Sequence, residues 1–207
     1  MMIRVKICGI TRLDDALLAE ELGASAVGFV FYKKSPRYVY PEKAGEISKK
    51  LGPFTARVGV FVDEVPDAVR MIVETAHLTA VQLHGFENQD YIDLLKGLTV
   101  IKALPVGHDI NPNVLSRYRV STFLLDTYSA NMYGGTGQTF DWSIASECKK
   151  YGRIIIAGGL NESNVIEAIK IAQPFGIDIS SGIESGPGIK DHYKMRTLFK
   201  TLNKENS

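Results

Sequence analysis

Short apolar, β-branched runs recur along the chain, beginning near residues 4, 26, 57, 80, 100, 122, 153 and 177, and the segments between them carry apolar residues at helical spacing. Core-facing helical stripes are predicted at Val69, Ile72, Val73 and Ala76, and at Tyr91, Leu94, Leu95 and Leu98. Two more fall at Val165, Ala168, Ile169 and Ala172, and at Met195, Leu198, Phe199 and Leu202. The weak crossover lies between the fifth and sixth strands, where Asn111-Pro-Asn113 leaves only Val114, Leu115 and Tyr118 as an apolar face. A short or irregular helix is expected there.

Strands joined by connections of this length run parallel, because a hairpin needs only a few residues and a parallel return needs about a dozen. Eight such units predict an α/β protein with a single closed (β/α)8 barrel over residues 1–207. An open doubly wound sheet also alternates strand and helix, but both the first and the last strand are polar on one parity, which favours closure.

One side-chain parity is almost wholly apolar: Val5, Ile7, Val27, Phe29, Val58, Val60, Val81, Leu83, Ile101, Phe123, Leu125, Ile155, Ile177 and Ile179 are expected to face the helices. The opposite parity carries Lys6, Cys8, Gly28, Gly59, Asp63, Gln82, His84, Lys102, Asp126, Gly158, Asp178 and Ser180. These are expected to line the interior and its mouth.

Composition narrows the class of partner. The chain is 45% hydrophobic and 23% charged with a formal net charge of +1, which suits one globular domain and gives no basic surface for nucleic acid or an anionic membrane. Charges at Arg4 and Lys6 interrupt the amino-terminal apolar stretch, and no run of 18 apolar residues occurs, so a cytoplasmic protein is expected. The two cysteines form no CxxC, and His77, His84, His108 and His192 show no HxxxH spacing, so neither a disulfide nor a metal site is expected. No GxGxxG and no Gly-Lys pair is present, which removes the dinucleotide fingerprint and the P-loop. A small molecule, with no cofactor, is the expected ligand.

Gly-rich turns follow the seventh and eighth strands, Ala157-Gly-Gly-Leu160 and Ser180-Ser-Gly-Ile183. In barrels of this kind these two loops often bind phosphate through backbone N–H groups, which makes Gly158, Gly159, Ser180, Ser181 and Gly182 candidates. Cys8 ends the first strand and Asp126 the sixth, so closure brings a thiol and a carboxylate to one mouth, as proton transfer requires. A buried cysteine is more often a small hydrophobe, and a strand-end aspartate caps a loop as readily as it catalyses. To act as a base Cys8 must be thiolate, and Lys6, on its own parity, and the dipoles of the phosphate-site turns are the candidates for lowering its pKa. Cys148 lacks this setting and reads as packing. Asp178 lies deeper than Ser180 and suits an orienting role as well as a chemical one. Arg37, in Ser35-Pro-Arg-Tyr38, is a candidate carboxylate clamp, and His84 is either a pocket residue or an oriented core histidine.

Taken in order, Lys6-Ile-Cys-Gly-Ile-Thr11, Ser35-Pro-Arg-Tyr38, Gln82-Leu-His-Gly85, Leu125-Asp126, Tyr133-Gly-Gly-Thr-Gly137, Thr139-Phe-Asp-Trp142, Ala157-Gly-Gly-Leu160 and Asp178-Ile-Ser-Ser-Gly182 span nearly the whole chain. Together they resemble the phosphoribosylanthranilate isomerases of tryptophan biosynthesis, which are TIM barrels. The resemblance implies a cofactor-free Amadori rearrangement of N-(5-phosphoribosyl)anthranilate, with Asp126 as general acid and Cys8 as general base. It also implies Arg37, Gln82, His84 and Asp178 at the substrate, and Gly135 with the two Gly-rich turns at its phosphate. A related phosphosugar enzyme or a noncatalytic phosphate-ligand sensor are the competing readings, and the barrel is expected as a monomer or a homodimer.

Overall fold

The computed structural model describes residues 3–107, 111–127 and 140–204. Eight parallel strands close into a barrel in sequence order: β1 (Arg4–Cys8), β2 (Ala26–Val30), β3 (Ala56–Phe61), β4 (Ala80–Leu83), β5 (Val100–Val106), β6 (Thr122–Thr127), β7 (Arg153–Ile156) and β8 (Gly176–Ile179). The pairing of β1 with β8, Lys6 opposite Asp178, completes the ring and rules out the open sheet. Each strand begins within one residue of the place the apolar pattern gives it.

The crossovers carry α1 (Leu13–Glu21), α2 (Pro41–Ser48), α3 (Pro66–Thr75), α4 (Gln89–Leu94), a 3-10 helix at Pro112–Arg117, α5 (Ser143–Cys148) and α6 (Val165–Ala172). Proline opens α2 and α3, where its missing N–H costs nothing, and Asn88 caps α4 by accepting from the Tyr91 N–H. The short α4 leaves Leu94 exposed, so its stripe is completed by Leu95 and Leu98 beyond the last turn. The crossover over Pro112–Arg117 is irregular, as its thin apolar face predicts. After β8 the chain forms a small antiparallel pair, β9 (Glu184–Gly186) with β10 (Ile189–Lys190), and ends in α7 (His192–Lys204). No described helix is long and apolar enough to cross a membrane.

The outer core packs the helices on the strands, and a separate inner cluster of Val58, Ile101, Ala103, Leu124, Ile155 and Ala157 fills the barrel. This corrects the parity expectation in three strands. In β3, β5 and β7 the apolar residues Val58, Val60, Ile101 and Ile155 belong to the interior clusters, because a barrel lumen of this size is filled by side chains and its floor excludes water. Gly59 accordingly points outward, where an added Cβ would meet Leu78 Cδ1 at 2.4 Å. Lys102 also leaves the lumen; it is buried with Glu87 at 2.7 Å and donates to the carbonyls of Leu83 and Gly85. Asp63 lies past β3 and accepts from the Phe86 N–H at 2.7 Å, so it ties two loops and does not line the mouth.

Candidate active site

Alternation along β1 turns Lys6 and Cys8 into the lumen, one above the other, and closure sets Asp178 of β8 and Gln82 of β4 around them. Lys6 Nζ donates to Asp178 Oδ2 at 2.8 Å and to Gln82 Oε1 at 2.9 Å, all three residues being buried. Burial pulls the Lys6 pKa down, but Asp178 and Cys8 together more than offset it, so Lys6 stays an ammonium. Asp178 Oδ1 is buried without a hydrogen-bond partner among the described residues. It therefore keeps one acceptor for a ligand.

Cys8 reverses part of the sequence expectation. Lys6 and Lys190 do pull its pKa down, but burial first and the Asp178 carboxylate second push the thiol above its ordinary range. Without a ligand the group is predominantly the thiol. Cys148, buried in the outer core, has its thiol pushed up to about 11 by burial and Glu147, which agrees with a packing role.

On the far side of the mouth, His84 Nε2 lies 3.2 Å from Asp126 Oδ2, and His84 Nδ1 lies 2.9 Å from Gln82 Nε2. Asp126 is a β6 side chain at the end of an apolar run, and the lumen below it is closed by Leu124. Its carboxyl is thus buried with an imidazole beside it.

Arg37 does clamp a carboxylate, but here that carboxylate is the protein's own. Glu184 of β9 accepts from Arg37 Nε at 3.0 Å and from Nη2 at 2.7 Å, and also from Lys190 Nζ at 2.8 Å. Burial raises the Glu184 pKa, and Arg37 and Lys190 together more than offset this, holding it below the ordinary carboxylate range. Arg37 Nη1 makes no hydrogen bond among the described residues, and Arg37 lines the cavity of the site. Sequence reasoning missed Glu184 and Lys190. Both lie in the hairpin of β9 and β10 that follows the Gly-rich turn of β8, and their register depends on the pairing of those two strands.

The two Gly-rich turns meet. Gly158 and Gly159 have positive φ of 82° and 66°, and a Cβ on Gly182 would lie 2.1 Å from the Leu160 carbonyl oxygen. Ser181–Ile183 forms one 3-10 turn, whose leading N–H groups have no partner within it.

A single cavity is lined by Cys8, Arg37, Gln82, His84, Asp126, Gly158, Gly159, Asp178, Ser180 and Ser181, which joins almost every residue singled out from the sequence. Gly182 is absent from that lining and acts in the packing of the two turns. Gly135, on which a phosphate contact was expected, lies outside the described residues. Val30, Tyr32, Val60, Val62 and Leu160 complete the wall with an apolar surface.

Comparison with known proteins agrees with this geometry. The family model described as N-(5'-phosphoribosyl)anthranilate (PRA) isomerase matches residues 5–201. A curated N-(5'-phosphoribosyl)anthranilate isomerase from Trichlorobacter lovleyi is 48% identical over 200 residues, 96% of this chain and 97% of the relative. The solved phosphoribosyl anthranilate isomerase of Thermotoga maritima superposes with a TM-score of 0.91 at 43% identity, covering 98% of this chain and all of that one. A solved phosphoribosyl anthranilate isomerase in complex with reduced 1-(o-carboxyphenylamino)-1-deoxyribulose 5-phosphate gives 0.87 at 42% identity, covering 98% of this chain and 100% of that one.

Proposed function

The chain belongs to the phosphoribosylanthranilate isomerase family, an isomerase of tryptophan biosynthesis, and from that premise we propose that Asp126 and Cys8 are its general acid and general base. Asp126 protonates the ribose ring oxygen of N-(5-phosphoribosyl)anthranilate as the bond from that oxygen to C1 breaks. The anilino nitrogen supplies the electron pair, and an open-chain iminium results. The Cys8 thiolate then removes the proton on C2, which the adjacent cation has acidified, giving an enolamine. Transfer of a proton from the C2 hydroxyl to C1 completes the aminoketose, 1-(2-carboxyphenylamino)-1-deoxyribulose 5-phosphate. No electron acceptor or cofactor enters the balance.

The remaining groups divide by charge. The apolar wall of Val30, Tyr32, Val60 and Val62 suits the aromatic ring, and Arg37, whose Nη1 makes no hydrogen bond among the described residues, suits the anthranilate carboxylate. Asp178 Oδ1, buried and without a hydrogen-bond partner among the described residues, suits a substrate hydroxyl or amine. The paired turns at Gly158–Gly159 and Ser180–Ser181 suit the phosphate. The observation that carries this reading is that Cys8 and Asp126, 118 positions apart, line one cavity between these turns and Arg37.

The test is conversion of freshly made phosphoribosylanthranilate, followed by loss of anthranilate fluorescence. Cys8→Ala and Asp126→Asn should each lower turnover by about 10²-fold or more with the fold intact. Near-full activity in either folded variant would remove that residue from the mechanism.

A further inference from the structure

The acid sits 3.2 Å beyond a hydrogen-bond chain that passes from Lys6 through Gln82 to His84, and Lys6 can only donate. Lys6 Nζ lies 2.9 Å from a Gln82 side-chain atom, and an ammonium has donors and no acceptor, so that atom must be the carbonyl Oε1. The orientation of the Gln82 amide is thereby settled, and its Nε2 must face His84 Nδ1, 2.9 Å away. An amide Nε2 only donates, so Nδ1 must carry a lone pair. In the neutral imidazole the proton then resides on Nε2, the ring nitrogen that lies 3.2 Å from Asp126 Oδ2.

We propose that Lys6 and Gln82 are positioning residues that hold His84 as its Nε2–H tautomer, so that His84 donates to Asp126 Oδ2 and the transferable proton of Asp126 sits on Oδ1. This rests on the assignment of Asp126 as the acid. The arrangement solves a specific difficulty. An imidazole 3.2 Å from a carboxyl group competes for its proton, and an imidazolium beside a carboxylate would leave no acid for the ring oxygen. Accepting that proton would require Nδ1–H, or an imidazolium, to face the N–H of Gln82, donor against donor. Gln82 cannot rotate to relieve this, because its amide N–H groups would then meet the Lys6 ammonium, donor against donor. Lys6 itself is anchored from the other side by Asp178 at 2.8 Å, so the chain runs from β8 through β1 and β4 to β6. Burial of Lys6 and Gln82 keeps water from substituting for either partner.

The experiment labels histidine with 15N and reads long-range proton–nitrogen correlations, with His84→Asn identifying the His84 signals. In the wild type, Nδ1 should resonate as the unprotonated nitrogen and Nε2 as the protonated one. Gln82→Glu places a carboxylate between Lys6 and His84, so Nδ1 should become protonated. Its kcat should fall about tenfold or more with KM changed far less, because binding contacts remain and the acid is mis-set. Gln82→Met, which offers Nδ1 no donor, should give mixed tautomers and an intermediate kcat. A protonated Nδ1 in the wild type overturns the proposal even if no variant folds. Unchanged His84 signals and kcat in Gln82→Glu overturn it as well. Full activity of Asp126→Asn beside the expected His84 spectrum would instead refute Asp126 as the acid, so the two failures are distinguishable.

Discussion

Glu184 grips Arg37 with both carboxylate oxygens, Oε1 at 3.0 Å from Nε and Oε2 at 2.7 Å from Nη2. The fork fixes the guanidinium plane, and Lys190, sharing Oε1 and donating to the Ser180 carbonyl, ties that plane to the turn after β8. Glu184→Gln keeps the shape but offers the fork one acceptor in place of two. KM for phosphoribosylanthranilate should rise about tenfold, the equivalent of about 1.4 kcal/mol, with kcat little changed. Arg37→Lys, which keeps the charge and loses the fork, is the comparison. A Glu184→Gln enzyme with unaltered KM would show that Arg37 needs no such anchor.

The reactivity of Cys8 should depend on pH. Burial and the Asp178 carboxylate hold its pKa above the usual thiol value, and Lys6 and Lys190 only partly offset them. The thiolate is the basic form, so its fraction grows as pH rises toward that raised pKa. Iodoacetamide inactivation, which needs the thiolate alone, should therefore still be climbing at pH 7 and beyond the ordinary thiol midpoint of about 8.5. The kcat/KM value also needs the proton on Asp126, so it should rise less steeply over the same range. A plateau in the inactivation rate by pH 7 would mean that the cations prevail over burial.

The strand pattern was legible because each β-branched run is bounded by polar turns, and the cavity followed from closure: Cys8, Asp126 and Asp178 all lie on lumen-facing parity. What misled was the polarity of single residues. Lys102 is charged yet faces the helices, because Glu87 neutralises it there, and Val58 and Ile155 are apolar yet face the lumen, because the barrel floor needs filling. Parity fixes two alternatives per strand, and only the pairing register chooses between them. Glu184 was illegible for a related reason, since its reach to Arg37 spans 147 positions and depends on the hairpin of β9 and β10.

Gly158→Ala should weaken both fold and phosphate binding. The backbone there has a φ of 82°, and the new Cβ would lie 2.2 Å from Thr127 Oγ1 and 2.7 Å from the Thr127 backbone nitrogen. The hydroxyl can rotate away, but the backbone nitrogen cannot. A loss of about 1–3 kcal/mol in urea unfolding is expected, together with weaker competitive inhibition by inorganic phosphate. Unchanged stability would show that the turn shifts freely as a unit, and unchanged inhibition would move the phosphate elsewhere.

Lys102 and Glu87 form a buried pair at 2.7 Å, each side chain 1% exposed. Burial lowers the Lys102 pKa, and Glu87, with a smaller pull from Asp63, only partly restores it, so removing the Glu87 carboxylate leaves a buried ammonium with Asp63 alone to face it. Glu87 also accepts from the N–H groups of Asp63 and Gly85, which ties the loop after β3 to the residue following His84. Glu87→Ala should therefore cost about 3–5 kcal/mol. Adding Lys102→Met should recover the part due to the stranded charge but not the part due to the two N–H groups. The double variant should accordingly be more stable than Glu87→Ala and less stable than the wild type by chemical denaturation. It should also show a lowered kcat, because Gly85 no longer fixes the backbone that carries His84. A Glu87→Ala loss below about 1 kcal/mol would mean that water reaches Lys102 on opening so slight a gap, and the pair would then be a surface ion pair in energetic terms.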